Sequence, residues 1–164
     1  LTGLLNRRRF LERLDSEWQL RRRYGDAVGL LIVDVDHFKS VNDTMGHLEG
    51  DRVLRDLARL LNTSVRKVDL VARYGGEEFV ILLPRATPET AQMVAEKLRL
   101  AVEDARIAPV GDAELGPTVS VGAACATPST TDFEPLDLVA AADAALFQAK
   151  ERGRNQVVVA PNLT

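Results

Sequence analysis

At 164 residues, with 46% hydrophobic and 27% charged side chains, the chain reads as one ordinary globular domain and excludes a disordered or low-complexity segment. A net charge of −3 argues against a general nucleic-acid binder, which normally carries a basic face to displace counterions. The single cysteine, Cys125, cannot form an internal disulfide and reads as a buried thiol in a reducing, cytoplasmic setting, while no stretch approaches the length of a membrane span, so no membrane contact is expected of this domain.

Asn6 is a plausible N-cap, and Phe10, Leu11, Leu14 and Trp18 recur at helical spacing until Gly25 supplies a stop. The basic triplets Arg7–Arg9 and Arg21–Arg23 flank this helix as a solvated surface. Val28 to about Asp34 has the continuous apolar character of a buried strand. A short helix is expected around Ser40 to Thr44, its free N–H groups able to hold phosphate oxygens. Gly50 to Arg66 reads as a helix burying Val53, Leu54, Leu57, Leu60 and Leu61.

Two strands, Val68–Tyr74 and Phe79–Leu83, flank Gly75-Gly76, where adjacent glycines are expected to supply the positive φ of a tight reversal. Thr87 caps a helix from Pro88 to about Arg106 that buries Ala91, Val94, Ala95, Leu98 and Val102. A polar connection from Ala108 to Pro117 leads to a strand at Thr118–Ala124, then a loop at Ala126–Asp132. A helix marked by Leu138, Val139, Ala142, Ala145, Leu146 and Ala149 stops at Gly153, before a closing strand at Val157–Val159. The order α-β-α-β-β-α-β-α-β contains a ferredoxin-like β-α-β-β-α-β core, an α+β fold in which helices cover one face of an antiparallel sheet. No repeat or linker divides residues 1–164.

Two acidic clusters stand out. Asp34 and Asp36 share a strand face, with Val35 on the other, and Glu77-Glu78 is lifted out by the hairpin. Either cluster alone is satisfied by a solvated turn. Should the two strands be neighbours, the carboxylates converge as oxygen ligands suited to Mg²⁺ or Mn²⁺, and two such ions can activate a hydroxyl and neutralise phosphate charge. Asp36 either joins the ligands or holds the loop that follows.

At these residues the chain resembles a known family. Gly75-Gly76-Glu77-Glu78-Phe79 is the Glu-containing form of the signature of the GGDEF family, the diguanylate cyclases. Leu1-Thr-Gly-Leu-Leu-Asn-Arg-Arg8, Asp34-Val-Asp-His-Phe-Lys39, Asn42-Asp-Thr-Met-Gly-His-Leu-Glu-Gly-Asp51 and Ala149-Lys-Glu-Arg-Gly-Arg-Asn155 resemble its other motifs, in family order. The resemblance implies a fold related to the palm of polymerases and nucleotide cyclases. It implies condensation of two GTP molecules into cyclic di-GMP and two pyrophosphates, with two divalent metals per half-site and a homodimer bringing two half-sites together.

By the same resemblance Asp34, the Val35 carbonyl and Glu77 hold metal, and Glu78 is a second-metal ligand or the base. Asn42 and Asp51 read guanine, a carboxylate being the natural acceptor for its N1–H and N2–H₂ donors. Asp51 is equally explained as an acidic residue at a helix start. Phe38, Lys39, Gly75, Gly76, Lys150 and Arg154 complete the substrate site. Arg66 and Asp69 resemble an inhibitory site for the product, cyclic di-GMP. Beginning at Leu1 rather than Met, the chain reads as part of a longer protein with an N-terminal regulatory or sensor module, through which the whole could be membrane-anchored. An inactive domain that only senses GTP or cyclic di-GMP is the alternative reading. A template-dependent polymerase palm is disfavoured by length and charge.

Overall fold

The computed structural model describes residues 2–107 and 116–163, so most of the predicted 108–117 connection lies outside the described residues. Ten elements follow in order: α1 (Arg7–Tyr24), β1 (Val28–Val35), α2 (Phe38–Met45), α3 (His47–Ser64), β2 (Leu70–Arg73), β3 (Glu78–Pro84), α4 (Pro88–Ala105), β4 (Val119–Ala126), α5 (Pro135–Glu151) and β5 (Val157–Val159). The sheet order is β2-β3-β1-β4-β5. β1 pairs antiparallel with both β3 and β4, and β2 pairs antiparallel with β3, which is the ferredoxin-like core. β5 extends it by pairing parallel to β4.

Local signals set the helix ends as expected. The Asn6 side chain accepts from the Arg9 N–H, and Gly25 adopts φ 71° while its N–H closes on the Arg21 carbonyl. Thr87 accepts from the Thr90 N–H ahead of Pro88. α3 begins at His47, one turn earlier than its apolar stripe suggests.

Helices cover both faces of the sheet, not one. Leu31, Val33, Phe79, Ile81 and Leu83 pack with residues of α3 and α4, whereas Leu30, Ile32, Val80 and Leu82 pack with residues of α1 and α5. The expectation holds for the core helices α3 and α4, while α1 and α5 supply the second layer. A strand buried at every position, as β1 is, requires cover on both sides. Cys125 is buried as expected, with its thiol pushed up to about 11 by burial.

The segment ahead of α1 is fastened to the hairpin strand. Leu5 bridges Ala72 in parallel, and the Arg73 N–H donates to the Leu5 carbonyl at 3.0 Å. The Arg7 guanidinium lies 4.6 Å from the centre of the Tyr74 ring, and Phe10 meets the same ring edge-on. Among the described residues no helix is long and apolar enough to cross a membrane.

Candidate active site

The β1–β3 register brings the two acidic clusters together. Asp34 stands opposite Glu78, both on the face covered by α5. Asp34 is 5% exposed, and Lys150 on α5 donates to its Oδ2 at 2.8 Å. Burial raises the Asp34 carboxyl above the ordinary range, with Lys150 opposing the shift. Burial also raises Glu78, and the neighbouring charges of Asp34 and Asp143 add to it. A raised carboxylate is the more effective proton acceptor near neutral pH.

Asp36 takes the second of its two sequence roles. Its carboxylate accepts from Thr118 Oγ1 at 2.7 Å, Ser120 Oγ at 2.6 Å and the Asn155 N–H at 3.0 Å. With three donors in place it ties the end of β1 to β4 and to the turn after α5. That turn runs through consecutive left-handed residues, Arg154 at φ 65° and Asn155 at φ 45°, and it puts Arg154 on the cleft. A positive φ is uncommon outside glycine, so anchoring of the Asn155 N–H by Asp36 helps hold this conformation.

Glu77 sits at the hairpin tip, where its carbonyl accepts from the Val35 N–H at 3.3 Å. Neither Gly75 nor Gly76 has a positive φ, contrary to expectation. Arg73 closes the loop instead, its Nε donating to the carbonyls of Gly75 and Gly76 at 3.2 and 3.1 Å and its Nη2 to Gly76 at 2.7 Å. A Cβ on Gly76 would meet nothing within 4 Å, so this glycine leaves open space beside the site.

Two clefts meet at Glu77. One, of about 270 Å³, is lined by Asp34, Val35, Phe38, Lys39, Glu77, Lys150 and Arg154, and α2 begins in it, where the Phe38 and Lys39 N–H groups have no partner among the described residues while those of Ser40 and Val41 donate to the His37 carbonyl. The other, of about 310 Å³, is lined by Phe38, Lys39, Asn42, Asp51, Arg73, Gly76 and Glu77. Of the candidate substrate residues only Gly75 lies on neither, facing residues 2–7 instead. Asp51 is the fifth residue of α3, beyond the first turn where the helix dipole favours an acid, so a helix-start role does not account for it.

Gly50 sets the base-side cleft. A Cβ there would stand 1.9 Å from Asn42 Oδ1. The obstructing atom is the end of a side chain, which can rotate away. Gly50→Ala is therefore expected to leave the fold intact and to swing Asn42 out of place, weakening GTP binding about tenfold, the scale of one lost hydrogen bond. Calorimetric titration with a non-hydrolysable GTP analogue, beside a melting curve, checks this.

Among the described residues no three His, Cys, Asp or Glu side chains converge on one point. The cleft beside α2 instead offers two carboxylates, Asp34 and Glu77, and the backbone of Val35. This fits Mg²⁺, which is commonly held by one or two carboxylates together with substrate phosphates.

Arg66 and Asp69 lie far from the clefts. β1 and β3 pair from Val28↔Pro84 to Asp34↔Glu78, about 20 Å of strand, and Arg66 Nη2 donates to the Pro84 carbonyl at the distant end. Its guanidinium also grips Asp69, Nη2 to Oδ1 at 2.8 Å and Nε to Oδ2 at 3.1 Å, while the Arg66 N–H donates to Oδ2 at 2.9 Å. The pair thus closes the turn between α3 and β2.

Sequence reasoning missed Arg73 and Gly50. An arginine two residues before Gly75-Gly76 was a visible signal, but Gly50 shows its role only through a contact in space.

Comparison with known proteins identifies the family and the fold. Residues 1–156 match the family described as "Diguanylate cyclase, GGDEF domain". The chain is 41% identical over 164 residues to diguanylate cyclase DgcP of Pseudomonas aeruginosa, covering 98% of this chain and 23% of that protein. It spans less than half the length of the curated relatives it matches. The GGDEF domain of DgcB from Caulobacter crescentus, solved in complex with c-di-GMP, superposes with a TM-score of 0.87 at 34% identity, covering 96% of this chain and 89% of that one. The active GGEEF domain of a diguanylate cyclase from Vibrio cholerae gives a TM-score of 0.87 at 29% identity, covering 97% and 99%. A family match over nearly the whole length, on a sheet that carries the acidic hairpin beside Asp34, establishes that this chain belongs to the GGDEF family of diguanylate cyclase domains.

Proposed function

We propose that this domain condenses two GTP molecules into cyclic di-GMP and two pyrophosphates, two copies facing each other with one GTP apiece. The observation that carries this reading is the pair of clefts joined at Glu77, one acidic and cationic, the other lined by Asn42 and Asp51. A nucleoside triphosphate needs such a division, phosphates at one end and base at the other. The acids of the hairpin and of β1 are all present, which favours activity over a purely sensing domain.

Asp34, Glu77 and the Val35 carbonyl would hold two Mg²⁺ or Mn²⁺ ions together with the phosphates, supplying charge neutralisation and activation of the attacking hydroxyl. Lys39, Lys150 and Arg154 grip the triphosphate, and the N–H groups at the start of α2 cradle its oxygens. Asp51 accepts from the guanine N1–H and N2–H₂, with Asn42 beside it. Glu78, raised by its buried place next to Asp34, takes the proton of the 3′-hydroxyl of the nucleotide on the facing copy. Attack of that hydroxyl on the α-phosphate then expels pyrophosphate, and most of the acceleration comes from in-line positioning.

Incubation of the purified domain with GTP and Mg²⁺, followed by chromatography, tests this. Cyclic di-GMP is expected. GTP binding without product would identify a sensing domain.

Product inhibition through Arg66 and Asp69 belongs to the same reading. The turn they close stands at the far end of the sheet from the clefts, so ligand there would not compete for the GTP contacts and would act on how two copies are arranged. Arg66→Ala is expected to abolish calorimetric binding of added cyclic di-GMP and to cost about 1 kcal/mol of stability through loss of the guanidinium bonds to Asp69 and the Pro84 carbonyl. Unchanged product binding would reduce the pair to a turn closure.

A further inference from the structure

We propose that Arg73 is a specificity-determining residue that donates to the guanine O6, at the other end of the edge read by Asp51, and that it couples this recognition to the position of Glu77. The inference rests on the GTP reading above and adds a second side to the base site.

Arg73 is the last residue of β2, two positions after Val71, and so shares its face of the sheet. Val71 packs with α3, which carries Asp51. Arg73 accordingly lines the cleft that also holds Asn42, Asp51 and Glu77, and it borders the one facing residues 2–7 as well. Its Nε and Nη2 are committed to the carbonyls of Gly75 and Gly76, while Nη1 makes no hydrogen bond among the described residues. Two of the three guanidinium nitrogens thus fix the plane and leave the third to serve the cleft. A preorganised fork gives up little rotamer freedom on forming one more hydrogen bond.

Guanine supplies the complementary edge. Its N1–H and N2–H₂ are donors suited to a carboxylate, and its O6 is an acceptor for which arginine is the commonest partner. Adenine reverses this edge with an N6 amine, which would set donor against donor at Arg73. Specificity then comes from an unfavourable encounter as well as a favourable one. Because the same guanidinium holds the Gly76 carbonyl, next in chain to Glu77, a base seated against Arg73 steadies the loop that carries the metal-binding acid.

The test is a comparison of nucleotide ratios, since a group that only closed the turn would alter all nucleotides alike. Wild type, Arg73→Met and Arg73→Lys are titrated calorimetrically, with Mg²⁺ present, against the 3′-deoxy forms of GTP, 6-thio-GTP and ITP, which keep the base and triphosphate and lack the attacking hydroxyl. 6-Thio-GTP weakens the acceptor at position 6 and keeps N1–H, whereas ITP lacks the N2 amine. Wild type is expected to prefer GTP over 6-thio-GTP about tenfold. Arg73→Met should lose that preference and keep the preference for GTP over ITP, which reports Asp51. Arg73→Lys, with one mobile donor, should fall between, and it carries the comparison should Arg73→Met fail to fold. An unchanged GTP to 6-thio-GTP ratio in the folded variants overturns the proposal and leaves Arg73 a turn clamp. Wild type that distinguishes none of the three nucleotides would instead refute the base-cleft assignment itself.

Discussion

Gly122→Ala is expected to destabilise the domain by about 2–4 kcal/mol and to depress any cyclase activity with it. A Cβ at this position of β4 would lie 2.1 Å from the Ala142 carbonyl oxygen and 2.3 Å from the Leu146 nitrogen. Both are backbone atoms of α5, so no rotamer change relieves the overlap and the helix itself must lift. α5 buries Leu138, Ala142 and Leu146 against the sheet, and it delivers Lys150 to Asp34. Lifting it opens packed apolar surface and separates the cation from the acid. Gly29→Ala is the control, because the nearest atoms its Cβ would meet are the side-chain methyl or methylene carbons of Ala91, Ala86 and Leu83 at 3.3–3.4 Å. A cost of about 1 kcal/mol is expected there. Denaturant unfolding of both variants checks the order, and equal stabilities would show that α5 is not seated on Gly122.

Glu77→Gln is expected to lower cyclic di-GMP formation at least about a hundredfold, the scale on which removal of a single electrostatic stabiliser acts. The side chain keeps its shape and loses its charge, and it stands at a loop tip outside both hydrophobic clusters. Stability should therefore stay within about 0.5 kcal/mol of wild type. Chromatography of product against time, with a melting curve for each protein, separates loss of chemistry from loss of fold. Turnover at the wild-type rate would remove Glu77 from the metal site.

Patterns that depend on neighbours in the chain were legible from sequence. The apolar run before Asp34, the caps at Asn6 and Thr87 and the acidic hairpin all appear where local chemistry put them. Part of what could not be read was set by partners far along the chain. Asp36 is settled by Thr118, Ser120 and Asn155, between 82 and 119 residues away. The tip of the hairpin was expected to rely on glycine conformations, yet an arginine side chain closes it, and a backbone argument has no access to that. The second helical layer was implicit in a strand apolar at successive positions, but the ferredoxin-like pattern drew attention to only one face. Asp51 was ambiguous while α3 was taken to start at Gly50. Its start at His47 removes the structural explanation.

The fastening of Leu5 to Ala72 and Arg73 makes the hairpin mechanically addressable. A load applied to residues 2–5 is carried by the parallel bridge and the Arg73 N–H into β2, and Arg73 is the residue whose side chain holds the loop bearing Glu77. The route is two contacts long and runs along the edge of the cluster under α1 and α5, to which Ala72 belongs and against which Leu5 packs. A displacement ahead of α1 is thus passed through two hydrogen-bonded steps to the loop that bears Glu77, which gives the segment before the first helix a short lever on that loop.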